Sequence, residues 1–530
     1  MLNLNMHSPF LLIILTTLTF MYGCSSEPAY LEWEAEAEQI VASIPEPQIP
    51  DRTINLVEYS GQQPDEEGSF DFREHIQRAI DELAEQGGGT LYFPHTLPKD
   101  AWVKQIETYR IRGPIRLRSN IELSFGPSIR LYFEFDPKSY MVDSHGKTGT
   151  LRRYEGTTIF SFSPLLYAFN EENIRLRFDG GIGAMPLIDG DGMRWQRWAV
   201  EQDGKRGEKG LEASYKAVRE INHQDIPLKD RYFTDIEQDV FRPELIMFFM
   251  SKNIMIDGVH LFNSPFWMVH PVFSENMIFR NMMFDGQVVN NDAFDPESSR
   301  NILIENIQFN NHDDNLAVKA GRDVEGRNGV NIEGSILEGM DHFRINGNRL
   351  GGPTERVVLR NSTFKGHHAI AIGSEMSGGA SYIYAYDNHS PIEVETALYL
   401  KSSRQRGGRI EHVYFFNNTF NSVNGIVGLL PNYDGDTTSP YVPEFRDVYV
   451  SNVTARYGKY GVRILGWADQ PIERVMLNNV TVEEVSTSER ELMMFNALNI
   501  QMQNVRLGNT VIKKRTFSVT DSSSTPPEFM

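Results

Sequence analysis

The feature that most constrains this chain is a short unit that returns along it. Its pattern is apolar, any, apolar, any, Asn, and then usually an apolar or small residue. It reads MIFRNM at 277–282, ILIENI at 302–307, VVLRNS at 357–362 and VYFFNN at 413–418. Later copies are VYVSNV at 448–453, VMLNNV at 475–480 and IQMQNV at 500–505, and IMIDGV at 254–259 is an earlier relative with Gly258 in the marker position. Successive markers lie 23 residues apart from Gly258 to Asn281, 25 from Asn281 to Asn306, 27 from Asn452 to Asn479 and 25 from Asn479 to Asn504. Gaps of 55, 56 and 35 residues separate the remaining markers, which implies insertions or degenerate copies. Within each unit the apolar residues alternate with period two, the signature of a strand. A strand repeated about every 25 residues, with no helical pattern between copies, specifies a parallel β-solenoid. The asparagines are expected to form an internal ladder at one corner, each amide bonded to the coils above and below.

A stack of coils exposes strand edges at its ends, and these must be covered. Phe72–Gln86 places Ile76, Ala79, Ile80 and Leu83 on one helical face and ends at Gly87-Gly88-Gly89, which predicts an amino-terminal cap. The body is expected over 56–515, with 56–170 as cap and first coils and 516–530 as a polar tail. With 32 Phe and 21 Tyr the chain has ample core without disulfides, and it holds a single cysteine, Cys24. Its 51 basic and 71 acidic residues leave a net charge of −20, which disfavours nucleic acid as a partner. An acidic carbohydrate is compatible with that charge only if a local cationic cluster holds it.

Upstream, Phe10–Phe20 is an apolar run of 11 residues, too short to span a bilayer and suited to a secretory signal. It ends at Tyr22-Gly23-Cys24-Ser25-Ser26, which resembles a bacterial lipoprotein signal. Residues 1–23 are therefore expected to be a signal peptide and Cys24 a lipid anchor. Residues 24–55, acidic and then proline-rich, are expected to be a spacer. The expected location is exported, in the periplasm or on the outer membrane, with membrane contact only through that lipid.

One region places polar residues where a solenoid strand should be apolar. Asn290-Asn291-Asp292 is followed one coil later by Asp313-Asp314, offsets of 21 and 22 residues, so the three aspartates are expected on adjacent coils. Crowded carboxylates repel, and at least one pKa should rise. Such a set offers a protonated acid and an ionised base at one pH. Neighbours in a strand face opposite ways, so Asp313 and Asp314 share a cleft only if the backbone turns there. Next come Gly366-His367-His368 and, further on, Tyr399-Leu400-Lys401 with Arg404, Arg406 and Arg409. If 322–353 is a loop inserted in the intervening coil, His367 stacks beside the aspartates. No His/Cys or acidic-loop spacing of a metal site occurs, and no metal or other cofactor is expected.

These blocks resemble glycoside hydrolase family 28, the polygalacturonase-like enzymes, over roughly 70–505. Asn290-Asn291-Asp292 matches the family's Asn-Thr-Asp, Asp313-Asp314 its Asp-Asp, Gly366-His367-His368 its Gly-His-Gly, and Tyr399-Leu400-Lys401 part of its Arg-x-Lys. SPFWMVHP (264–271), GSEMSGG (373–379) and GGGTLYFP (87–94) also look like the family. The resemblance implies an all-β, right-handed parallel β-helix of the pectin-lyase-like kind and an inverting hydrolase of pectic glycans, working as a monomer. It implies Asp313 as general acid, Asp292 and Asp314 as the groups that position and deprotonate water, His367 as tuning the acid and Lys401 as binding the sugar. An inverting pair is expected to stand roughly 6.5–9.5 Å apart. The substrate-binding set read from the blocks comprises Asn290, Lys401, Tyr399, His270, Lys319, Arg322 and Arg404. Two positions depart from the pattern: Tyr399 stands where the family has an arginine, and His368 where it has a glycine. Arg404, Arg406 or Arg322 are candidates to replace the missing cation. The aromatics Trp195, Trp198, Phe266 and Trp267 are candidates for sugar stacking or core packing. The unrepeated segments 190–243 and 322–353 are expected to be excursions beside the cleft, favouring chain-end attack. The alternatives are a polysaccharide lyase on the same solenoid and a non-catalytic glycan-binding solenoid.

Overall fold

The computed structural model describes residues 30–97, 105–143, 146, 148–206, 211–433, 435–486 and 491–521. Cys24 and the apolar run before it lie outside the described residues, and no described helix is long and apolar enough to cross a membrane.

The repeat unit sets the register of the whole molecule. Ile254 pairs with Met277, Met277 with Ile302, Ile302 with Val357, and Val413 with Val448, Val475 and Ile500 in turn, all parallel. The chain is a parallel β-helix, as the period implied, and a right-handed one, as the resemblance implied. The long gaps now resolve. Val357 pairs directly with Ile302, so the 55-residue gap is one coil carrying an insertion. The 56-residue gap holds two coils, because Ile383 pairs with both Val357 and Val413 and Asp387 stands at the marker position. An acidic residue in place of the asparagine hid that copy.

The asparagine ladder exists, but outside the core. Asn281, Asn306, Asn361, Asn452, Asn479 and Asn504 all adopt positive φ of 52–56°, the left-handed turn conformation that asparagine tolerates better than most residues. Their amides bond from coil to coil, Asn504 to Asn479 at 3.0 Å and Asn479 to Asn452 at 3.1 Å, on an exposed corner. The need for a left-handed corner, not an interior hydrogen-bond site, selects them. The interior is filled by the alternate apolar residues and by aligned rings, Phe284–Phe309 at 5.5 Å and Phe309–Phe364 at 5.7 Å. Each ring pair adds about 0.5–1.5 kcal/mol beyond area burial.

Both ends are covered. The predicted cap is the helix Arg73–Glu85, and its buried face is Ile76, Ala79, Ile80 and Leu83. At the other end Thr510–Val519 folds back antiparallel on Ala497–Leu507, running four residues into the stretch read as tail. The stretch read as spacer is structured too. The helix Tyr30–Ala42 packs Trp33 against Tyr414, Phe416 and Tyr449 on the outer wall, and Thr53–Asn55 pairs with the strand Gly89–Phe93. Aromatic residues at one outward position of successive coils make that wall apolar, which gives the helix something to bury.

Segment 190–243 contributes the helices Gly192–Arg206 and Leu211–His223, and segment 322–353 a helix, Asp323–Asn328, with a three-stranded sheet. Trp195 and Trp198 pack with Phe135 and Phe162, and Phe266 lies in the core, so of the four candidate aromatics only Trp267 reaches the cavity described next.

Candidate active site

The aspartates are brought together by register. On one wall of the helix Val269 pairs with Phe294, Phe294 with Leu316, Leu316 with Ile370 and Ile370 with Leu398. Counting back two residues in each coil aligns Trp267, Asp292, Asp314, His368 and Thr396. Asp313 and Asp314 share the cleft because the backbone bends before the strand Leu316–Val318 begins. The bend is held by Asn311, whose buried amide donates to the carbonyls of Asp313 (2.8 Å), Asp314 (2.9 Å) and Asn291 (3.1 Å). Asn291, in the previous coil, donates to the carbonyls of Ser264 (3.2 Å) and Phe266 (3.4 Å). Gly366 lets the next coil close over this bend: a Cβ there would meet the Asn311 carbonyl oxygen at 2.3 Å. In the middle of the wall Ala317 and Ala371 pair in register and are fully buried.

A cavity of about 220 Å³ opens there, lined by Asp292, Asp313, Asp314 and Lys401 among others. Oxygens of Asp292, Asp313 and Asp314 approach within 4.8 Å of one another, closer than the spacing expected for an inverting pair. Asp313 is the most open of the three, with a quarter of its side chain exposed against 7 % and 2 % for Asp292 and Asp314. Asp314 accepts from Lys401 Nζ at 2.9 Å and meets His367 Nδ1 at 3.1 Å. Burial opposes its ionisation, but Lys401, His368 and His367 together hold it well below the usual carboxylate range. Asp292 goes the other way: burial first, then the Asp313 charge, push it up to about 8. The crowding predicted from sequence therefore leaves Asp314 ionised and Asp292 holding its proton near neutrality.

The two adjacent histidines separate in the same manner. His367 is 38 % exposed and bridges carboxylates, with Nδ1 3.6 Å from Asp313 and Nε2 2.5 Å from Glu395. Against the effect of burial, its bonds to Asp314 and Glu395 raise it to about 10, so it is an imidazolium at neutral pH. His368 is buried under it, ring to ring at 4.1 Å, and burial lowers it to about 3.

Of the residues singled out in the sequence, Asn290, Asp292, Asp313, Asp314, Lys319, Arg322 and Lys401 line the cavity, and His367 supports the aspartates from the side. Lys319 lies over the Trp267 ring at 4.3 Å, between Asp295 (3.3 Å), Glu375 (3.5 Å) and Asp292 (3.6 Å). Three do not line it. His270 is buried beneath, with Nε2 2.9 Å from Glu297 in an ionic web with Arg153, Glu325 and Arg231. Tyr399 is tucked against His368, Leu430 and Leu465, because Gly428 in the next coil leaves room for its ring. Arg404 turns away to make a two-pronged pair with Asp469 over the Trp467 ring. Sequence reasoning missed Glu395, Glu155, Arg219 and Tyr433, and gave Glu375 no role although its block was noticed. Glu395 was the accessible one: it stands six residues before Lys401, on the strand that follows the His367 coil.

Comparisons with known proteins agree with this geometry. Residues 234–505 match the family model of glycosyl hydrolases family 28. A probable polygalacturonase of Vitis vinifera is 29 % identical over 262 residues, 47 % of this chain and 48 % of that protein. An endo-polygalacturonase of Pectobacterium carotovorum is 27 % identical over 46 % of this chain and 54 % of its own length. The matched stretch thus spans about half of each curated relative. Among solved structures, a hyperthermoactive exopolygalacturonase from Thermotoga maritima superposes with a TM-score of 0.77 at 30 % identity, covering 93 % of this chain and 99 % of that one.

Proposed function

Because the chain belongs to glycosyl hydrolases family 28, we propose that it hydrolyses glycosidic bonds of pectic poly- or oligosaccharides, attacking from a chain end. The observation that carries this reading is the trio Asp292, Asp313 and Asp314 in one open cavity with unequal proton affinities. Asp313, the most exposed, gives its proton to the leaving glycosidic oxygen. As it does so a negative charge develops beside the Asp314 carboxylate, and the His367 imidazolium at 3.6 Å offsets it. Lys401 keeps Asp314 ionised; Asp292 helps to orient the attacking water, and the Asp314 carboxylate takes its proton. The reaction of this reading inverts the anomeric centre, as the family resemblance implies. Chain-end attack is supported by the excursions 190–243 and 322–353, which supply Arg219 and Arg322 to the cavity.

The test is incubation with oligogalacturonides, rhamnogalacturonan and neutral oligosaccharides, with early products identified and their anomer assigned by NMR. Monosaccharide or disaccharide release with inversion is expected. Random mid-chain fragments would overturn the chain-end reading, and an unsaturated, ultraviolet-absorbing product would make the protein a lyase. The same reading includes export, lipid attachment at Cys24 and a monomeric state. It is supported by the apolar run and the Gly23-Cys24-Ser25 sequence, and by a cavity lined from one chain. Fatty-acid labelling that disappears in Cys24→Ser and a single-chain sedimentation mass are the expected results.

A further inference from the structure

The reaction leaves the ionic web beneath the cavity without a role. Its centre is Glu325, in the helix Asp323–Asn328, whose side chain is sealed from water and bonded from three directions. The hairpin of Thr150–Tyr154 and Thr157–Ser161 supplies Arg153 Nη1 at 2.7 Å, the Thr158 amide at 3.0 Å and the Thr158 hydroxyl at 2.6 Å. Arg231 Nη1 donates from the segment that follows the helix Leu211–His223. On that helix Asn222 Oδ1 accepts from the Glu325 amide at 3.1 Å, and the Asn222 side-chain amide donates to the Thr157 hydroxyl at 2.7 Å. The web reaches the solenoid through Arg153, whose Nε donates to Glu297, and Glu297 accepts from the Gly321 amide at 2.9 Å. All of these side chains are buried. Arg153 and Arg231 answer Glu297 and Glu325, so removing one carboxylate leaves a desolvated cation short of its partner.

The segments that meet at Glu325 also wall the cavity. The hairpin tip brings Glu155 to it, the helix brings Arg219, and Arg322 stands three residues before Glu325. Hairpin and helix leave the solenoid ahead of the strands Leu166–Phe169 and Ile246–Phe249, which pair in turn before Val269 and Phe294. They therefore stand on the amino-terminal side of Asp292. At the cavity itself their union is slight. Glu155 Oε2 meets Arg219 and Arg322 at 3.1 Å each, but Arg219 is 39 % exposed, and solvated pairs hold weakly. Gly156 permits the approach, since a Cβ there would stand 2.7 Å from the Arg322 nitrogen that donates to the Gly156 carbonyl. The buried bonds to Glu325, which no water competes for, are what give the wall a fixed place.

We propose that Glu325 is a positioning residue that locks hairpin, helix and insertion onto the solenoid as one body, and that this body is the stop that makes attack begin at a chain end. The stop rests on the chain-end reading; the lock does not, and amide hydrogen exchange separates them. In Glu325→Gln, exchange over 150–161, 211–231 and 322–332 is expected to quicken together by about tenfold or more, while the strands Arg300–Glu305 and Val462–Leu465 keep their protection. On a long oligogalacturonide, the share of early product appearing as mid-chain fragments should rise at least threefold. That share does not depend on how much of the enzyme is folded, so a general loss of stability cannot produce it. Thr158→Val, which removes one bond and no charge, should move both readouts the same way by less, and it decides the matter if Glu325→Gln does not fold. Unchanged exchange, or quickening confined to one of the three segments, overturns the lock. Quickened exchange with an unaltered product pattern overturns the stop. Random fragments from the wild type would remove the chain-end reading and the stop together, and the exchange measurement would still decide the lock.

Discussion

Replacing Lys401 by Met tests the electrostatic logic of the site most directly. The methionine preserves the length of the chain and removes the ammonium 2.9 Å from Asp314, a group almost wholly buried beside a partner almost wholly buried. Breaking a buried ion pair by removing one partner costs about 3–5 kcal/mol, because the remaining charge stays desolvated. Asp314 keeps His367 at 3.1 Å and His368 at 4.0 Å, so the loss should fall near the bottom of that range, about 3 kcal/mol at pH 7. The sign with pH follows from linkage. Native Asp314 is held well below its unfolded value of 3.8, so its contribution is present above 3.8 and is lost as pH falls through the lower native value. In the variant burial dominates and the native value rises above 3.8, so the contribution turns unfavourable at neutral pH. The gap between parent and variant is therefore widest at pH 7 and narrows toward pH 4. A domain of 150–250 residues shifts roughly 2–4 °C per kcal/mol, and this body is about twice that size, so about 3–5 °C is expected at pH 7. Melting temperatures of both proteins at pH 7, 5.5 and 4 provide the measurement. A gap that does not change with pH, or no gap, would refute the account of Asp314 as a carboxylate kept ionised by Lys401.

Three further outcomes follow from the same geometry. Asp313→Asn should reduce kcat about 10³-fold while oligogalacturonide binding changes less than threefold, measured by steady-state kinetics and calorimetry; an undiminished kcat would remove Asp313 as the acid. Glu395→Gln should pull His367 down from about 10, so the alkaline limb of kcat/KM moves about one pH unit toward neutrality while the rate at pH 5 stays within a few-fold. A limb that stays in place would mean that Glu395 does not govern the imidazolium. Gly373→Ala should lower kcat and cost about 3 kcal/mol, because its φ is +122° and a Cβ would stand 1.9 Å from the Lys401 carbonyl oxygen, pushing that strand off the cavity. Heat-induced unfolding and turnover of the variant check both parts.

The alternation within each coil and the marker every 25 residues or so determined the solenoid, because apolar side chains on a parallel stack can be buried only in register. The same arithmetic determined which aspartates meet, since 292, 313 and 314 are separated by about one coil and no insertion falls between them. It also reached His367 across the 322–353 insertion, since the coil on either side keeps its length. What the sequence left open was direction. Whether an asparagine faces in or out depends on the backbone handedness at a corner, and the left-handed φ put the ladder outside. Whether Tyr399 and Arg404 reach the substrate depends on what the next coil offers, and Gly428 and Asp469 drew them elsewhere. Glu155 and Arg219 come from segments outside the repeat, where no period links sequence distance to space. Their convergence on the cavity is decided by tertiary packing alone.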